Sequence, residues 1–273
     1  MKHLILAALL VSGLASASAQ SISYKKDSTT NHKGKFTWKF HTSEEEFDRP
    51  KSKDDSAKLA KANKGRFVGG LTFTRIDIGY MRLIDNGSFT LSPENEFLDY
   101  RGGKTSMFSF DIVQLGYRFN QNFKIAVAGG FDWTHIRLNK DITIQKNTPV
   151  LTYIEEPADF HFEKNRFSSS YIHIPLNFEF RTNENDNGKR FYFVAGPEVS
   201  FLLNGKVKQI SQERGKVKVK DDYRFQAFRT GGTVRFGYDG LGFFTKYYFN
   251  DMFASTPQKG LTNMAFGITL GLN

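Results

Sequence analysis

The chain has 273 residues, no cysteine, 28 phenylalanines and a formal net charge of +10. Such a length suits one β-barrel or one to two ordinary domains, and the lack of cysteine excludes disulfide frameworks, thiolate catalysis, cysteine-ligated zinc and a lipidated cysteine anchor. Lysine and arginine are scattered over loops and strands rather than gathered into a nucleic-acid-reading module, so the excess reads as solvated surface and no nucleic-acid partner is expected.

Residues 1–19, MKHLILAALLVSGLASASA, read as a secretory signal peptide. Lys2 and His3 form a positive start, Leu4 to Leu14 an apolar run too short to stay in a membrane, and Ala17-Ser18-Ala19 a small-residue cleavage site before Gln20. No later segment approaches the ~20 apolar residues of a membrane-spanning helix. An exported chain of this kind must cross any membrane with strands. Residues 20–65 are rich in Lys, Asp, Glu and Ser and offer no core, so they are expected to form a flexible periplasmic extension. Within it, KFTWKFH alternates around Trp38 and could add an edge strand or touch a partner.

From Arg66 onward a period-2 pattern returns eight times. FTRIDIGYMRL sets Ile76, Ile78 and Tyr80 against Arg75, Asp77 and Gly79. MFSFDIVQLGYRF changes phase midway, which predicts a bulge near Ile112 and Val113. FKIAVAGGFDW places Phe123, Ile125, Val127, Phe131 and Trp133 opposite Lys124, Ala126, Ala128, Gly130 and Asp132. SYIHIPLNFEFRT separates Ile172, Ile174, Leu176, Phe178 and Phe180 from His173, Asn177, Glu179 and Arg181. RFYFVAGPEVSFLL turns Phe193, Val199 and Phe201 away from Glu198 and Ser200. FQAFRTGGTVRFGY opposes Phe228, Val234 and Phe236 to Arg229, Thr233 and Arg235, and GLGFFTKYYFN opposes Phe243 and Tyr247 to Lys246. TNMAFGITLGLN closes the series with Phe266, Ile268 and Leu270 on one side.

Connection lengths alternate. Long links near 85–104, 139–168, 204–223 and 251–260 are separated by short ones at 120–122, 183–189 and 239–240. In an up-and-down antiparallel barrel the long links share one end and the short turns the other, which is the layout of outer-membrane barrels. The expected fold is therefore all-β: an eight-stranded antiparallel transmembrane barrel over residues 66–273, with lipid on the apolar side. The short turns and the extension are expected in the periplasm of a diderm bacterium, and the long loops outside. Eight strands leave an interior that side chains can fill. The residues expected there are Arg75, Asp77, Gln114, Arg118, Lys124, Asp132, His173, Glu179, Arg181, Glu198, Arg229, Arg235 and Lys246, pairing by opposite sign. Tyr80, Tyr117, Trp133, Tyr171, Tyr192, Tyr238, Tyr247 and Tyr248 suit the interfacial girdles.

The chain resembles the PorT-like outer-membrane β-barrel family of Bacteroidetes-type bacteria. The resemblance covers residues 66–273 and rests on LSPENEFLDYRGGKTSMFSF after the first strand, YIHIPLNFEF in the fourth and FYFVAGPEVSFLL in the fifth. It implies an outer-membrane barrel; most members have no assigned activity, and one branch takes part in secretion of surface proteases. No residue here selects that branch.

Other chemistry is read against bland competitors. His135, His161 and His173 are scattered and read as satisfied polar residues rather than a metal site, so neither metal nor cofactor is expected. Glu155, Glu156, Asp159, His161 and Glu163 lie near Ser168–Ser170 in sequence, but a triad needs geometry that spacing does not supply. GGK at 102–104 and NGK at 204–206 lack the setting of a phosphate loop, and DITIQKN is not a calcium loop. The expected function is a non-enzymatic barrel with a plugged lumen, serving as anchor, assembly component or surface-interaction component. A small passive solute channel is the alternative and an outer-membrane hydrolase a more distant one. Expected partners are outer-membrane lipids, the barrel-assembly machinery during insertion, and a periplasmic or surface protein that the residues do not name.

Overall fold

The computed structural model describes residues 65–185 and 188–271, apart from the side chains of residues 72–74. The expected leader, and the extension up to residue 64, lie outside the described residues. Eleven strands follow in chain order: β1 (Arg66–Asp85), β2 (Ser106–Arg118), β3 (Phe123–Arg137), β4 (Ile142–Ile144), β5 (Tyr153–Glu155), β6 (Lys164–Arg181), β7 (Phe191–Ser211), β8 (Gly215–Asp221), β9 (Phe228–Tyr238), β10 (Leu241–Tyr248) and β11 (Leu261–Gly271).

Eight of them close into an antiparallel ring in the order β1-β2-β3-β6-β7-β9-β10-β11, sealed by β1 against β11. Closure gives each of the eight ring strands a neighbour on both sides, the condition for a strand structure inside lipid; the free edge of β8 lies above the ring's apolar band. The anticipated bulge is present: the β2–β3 register shifts between Asp111 and Val113. Short turns join β2 to β3, β6 to β7 and β9 to β10 at one end. In the first, the Asn120 side-chain oxygen accepts from the backbone N–H groups of Asn122 and Phe123, both at 2.8 Å. The third turns on Asp239, at φ +58°, and Gly240.

At the other end the strands run longer than the alternation suggested. The segment 204–223, expected as a loop, is a hairpin: β7 continues to Ser211 and pairs with β8 from Gly205↔Asp221 to Ser211↔Gly215. Gly215, at φ +61°, supplies the left-handed turn residue. The long link after β3 carries its own two-stranded sheet of β4 and β5.

Residues facing out of the ring are apolar over a defined band and polar above it. Near the short turns, rings follow one another around the outside: Phe67–Tyr117, Tyr117–Phe119, Phe119–Phe123 and Phe123–Phe180, with centroids 4.8–5.3 Å apart. The upper margin carries Phe108, Phe110, Phe131 and Trp133 on β2 and β3, and Phe201 with Phe228 on β7 and β9. Phe123 to Trp133 is ten residue steps along β3. At ~3.3 Å per residue and ~40° tilt that is ~25 Å, the height of an outer-membrane apolar band.

Above this margin the polarity inverts. Arg82, Arg137, Arg166, Lys206 and Lys208 face outward, while Leu83, Ile136, Phe167 and Val207 turn inward and are buried. These inward residues join loop residues Phe97, Leu98, Phe225, Met252 and Phe253 in one apolar core. The upper end of the barrel is thus packed like a water-soluble domain, with grease inside and charge outside.

One loop anchor titrates. Arg214 on the β7–β8 turn donates to both carboxylate oxygens of Glu156, at 2.9 and 2.7 Å. The hydrogen bonds from Arg214 and from Thr143 hold the Glu156 carboxyl below its ordinary pKa. A depressed folded-state pKa contributes stability above the unfolded value, and this is lost as pH falls through the folded one. Below pH ~4, or in Glu156→Gln at any pH, limited proteolysis is expected to cut the 139–163 loop faster while the barrel stays closed. Unchanged cleavage rates would show that the pair does not hold the loop.

Candidate functional site: the barrel interior

Within the apolar band the inward positions are mostly polar or small, with Val194 and Phe244 among them, and the strands bring almost every titratable residue expected there into contact. The position of each follows from period 2 and antiparallel register: Asp111 stands opposite Gly130, Lys124 opposite Glu179, and Val194 opposite Arg235.

Nearest the short turns, Glu179 gathers cations. Lys124 Nζ lies 3.0 Å and Arg75 3.8 Å from Glu179 Oε2, and Arg181 donates to Oε1. One level up, Arg235 grips Asp77 with two nitrogens, Nη2 at 2.7 Å and Nε at 3.2 Å from Oδ2. Both side chains are almost fully buried.

The centre is a chain of alternating charge. His173 Nε2 lies 2.7 Å from Asp111 Oδ1 and its Nδ1 2.6 Å from Asp132 Oδ1. Ionised carboxylates only accept, so between two of them both ring nitrogens would donate. Lys246 Nζ sits 2.9 Å from Asp132 Oδ2 and 2.9 Å from Glu198 Oε1. The Tyr248 hydroxyl donates to Asp132 Oδ2 at 3.0 Å. Gly130 makes room for this cluster: a Cβ there would stand 2.7 Å from His173 Nε2.

Arg229 differs from the expected pairing by sign. It has no carboxylate partner among the described residues; its guanidinium lies 3.5 Å from the Tyr248 ring centroid and 5.3 Å from that of Tyr171, and it donates to Asn263 Oδ1. The ring faces supply negative potential to a desolvated cation. Three girdle assignments are thereby corrected. Tyr171, Tyr192 and Tyr248 are buried and face inward because they share the phase of His173, Val194 and Lys246. Tyr80, Tyr117, Trp133, Tyr238 and Tyr247 face outward. Gln114 and Arg118 lie on the other side of the β2 bulge and are only half-buried.

Asp111 was missed by sequence reading. Extending the phase of Phe108 and Phe110 as far as the bulge puts Ser109 and Asp111 inside, which was the available signal.

The other candidates do not assemble into a reacting group. His161 pairs with Asp141 at 2.8 Å in the loop, while Glu156 is held by Arg214. His135 Nδ1 lies 3.1 Å from Ser168 Oγ on the outer face. Ser168 there stands opposite Lys206, and no carboxylate contacts His135 among the described residues, so the orienting acid of a triad is missing. Asp132, His173 and Glu198 have ligand atoms within 4.8 Å of one another, close enough to share a metal ion. The Lys246 ammonium already stands between Asp132 and Glu198 and supplies the positive charge a metal would bring.

Comparison with known proteins places this geometry in context. A family model described as outer membrane protein beta-barrel domain matches residues 66–253. No curated protein matches the chain. Among solved structures the chain is similar to Ail, the attachment invasion locus protein of Yersinia pestis, determined with the heparin analogue sucrose octasulfate. That alignment has 14% identity and a TM-score of 0.32, and covers 76% of this chain and 97% of Ail.

Proposed function

This chain belongs to the outer membrane protein beta-barrel domain family, and from that premise we propose that it is a non-enzymatic, non-conducting outer-membrane component that acts through its surface. Its long loops lie outside the cell, its short turns face the periplasm, and its lumen is plugged by side chains. The PorT-like resemblance of the strands fits an anchor or assembly role of this kind, with residues 20–65 available to a periplasmic partner.

The observation that supports the reading is the Asp111–His173–Asp132–Lys246–Glu198 chain, three carboxylates alternating with two cations, which links β2 to β7 through the interior. A water path would leave these groups solvated; here Asp132, His173 and Lys246 are each at most 1% exposed. The upper apolar core closes the same lumen a second time.

Orientation is testable because the chain has no native cysteine. A single cysteine replacing Lys146 in the long loop is expected to react with a membrane-impermeant maleimide on intact cells. One replacing Lys189 in the β6–β7 turn is expected to react only after permeabilisation. The reverse pattern would invert the barrel and end the surface role.

A further inference from the structure

Scattered in sequence, the cations of the upper strands come together in space. Arg137, Arg166, Lys208 and Lys218 stand in register across β3, β6, β7 and β8, each directly opposite the next. One step down, Lys206 opposes Lys220. All six lie on the outer face of the sheet, since Ile136, Phe167 and Val207 between them are buried on the inner one. The expectation of a diffuse solvated charge is corrected here: sheet register converts dispersed residues into one basic face.

Such a face is unfavourable by itself, because like charges directly opposite one another destabilise a sheet. None of the six forms an ion pair among the described residues. Arg137 donates to the backbone carbonyl of Glu163, and the nearby Asp221 carboxylate turns to the Asn147 amide at 2.7 Å. The Arg166 Nε is buried with no hydrogen-bond partner. Burial, followed by the charges of Arg166, Lys220 and Lys218, lowers the Lys206 ammonium pKa. The cations therefore lack internal anions.

Position supplies the anion. The Lys206 row, through Ser168 and His135, lies two residues above Trp133 and the Arg137 row four residues above it. At ~3.3 Å per residue and the same ~40° tilt these rows stand ~5 and ~10 Å above the aromatic margin, within the headgroup layer and at its outer boundary. We propose that this face binds the phosphate groups of the lipid leaflet that surrounds the upper aromatic margin, each phosphate shared by cations on neighbouring strands. The proposal rests on the outward orientation of the long loops, which makes that lipid a phosphorylated headgroup of the outer leaflet.

The test uses the whole mature chain in phosphatidylcholine nanodiscs doped with bisphosphorylated lipid A or with its dephosphorylated form. Lipid retained on the ejected barrel is read by native mass spectrometry. Wild type is expected to retain the phosphorylated form preferentially, and less of it at high salt. Lys206→Gln/Lys208→Gln/Lys218→Gln should lose retention roughly fivefold per charge removed. The triple arginine variant at the same positions should keep it. Heat-modifiable migration in gels checks that each variant has closed its barrel. Equal retention of dephosphorylated lipid, or unchanged retention in the glutamine variant, would overturn the proposal. So would binding of soluble heparin that is lost in the glutamine variant while phosphorylated lipid is not retained by wild type, which would make the occupant an external sulfated polymer. Inward labelling of the long loops with phosphate selectivity intact would overturn the outer-leaflet assignment alone, separating that failure from failure of the face.

Discussion

Replacing Lys246 with methionine is expected to destabilise the barrel by about 3–5 kcal/mol, the cost of leaving buried charge without its partner. Lys246 is fully buried and is the cation shared by Asp132 and Glu198. Methionine matches its length and removes the charge, so two carboxylates remain in a closed interior with one counter-ion gone. His173 offsets part of Asp132, but among the described residues Glu198 keeps only hydrogen bonds from Ser200 and Thr233, each at 3.4 Å. Adding Glu198→Gln should recover a large part of the loss, because the surplus negative charge goes with it. A double-mutant cycle by urea titration in lipid vesicles, followed by the heat-modifiable gel shift, reads the coupling directly. A Lys246→Met cost below ~1 kcal/mol would mean that water reaches these groups.

Arginine at Val127, Ile174 or Leu176 is expected to cost ~2–4 kcal/mol, the penalty of a charge on the lipid face near the bilayer midplane. Val127 and Ile174 are 45% and 38% exposed, so in water the same substitutions would be nearly neutral. Asn177→Ser and Thr233→Ser, on the inner face, should be much milder because polarity there is unchanged. The same series of unfolding titrations measures both sets. Comparable sensitivity on the two faces would fit a water-soluble barrel and contradict a lipid-facing band.

The alternation in SYIHIPLNFEFRT was legible because each strand in the membrane meets two solvents, and period 2 assigns every residue to one of them. The bulge at Asp111/Val113 was legible as a change of phase, and Asp111 belongs to the phase that precedes it. Tyr171, Tyr192 and Tyr248 are buried inside because phase decides the face of a strand residue, whatever its aromatic character suggests. Above Tyr80 the rule itself changes. Once lipid gives way to water, MRL in β1 must point Met81 and Leu83 inward and Arg82 outward, and nothing local in the sequence marks that crossing. The hairpin KVKQISQERGKVKVK alternates on both sides of Gly215, but its apolar residues are valines and one isoleucine among lysines, so composition argued for a loop. Pairing by opposite sign was incomplete for Arg229, whose partners are aromatic faces that no charge pattern reveals.

Conductance of the purified mature barrel in planar bilayers tests the filled interior most directly. With Asp111, Asp132, Glu198, His173 and Lys246 bonded across the lumen and the apolar core above them, no steady single-channel steps above baseline are expected, and truncating Arg229 or Glu198 should open none that persist. Reproducible openings in the wild-type protein, altered in size or selectivity by Arg229→Ala or Glu198→Ala, would show that these side chains line a water path.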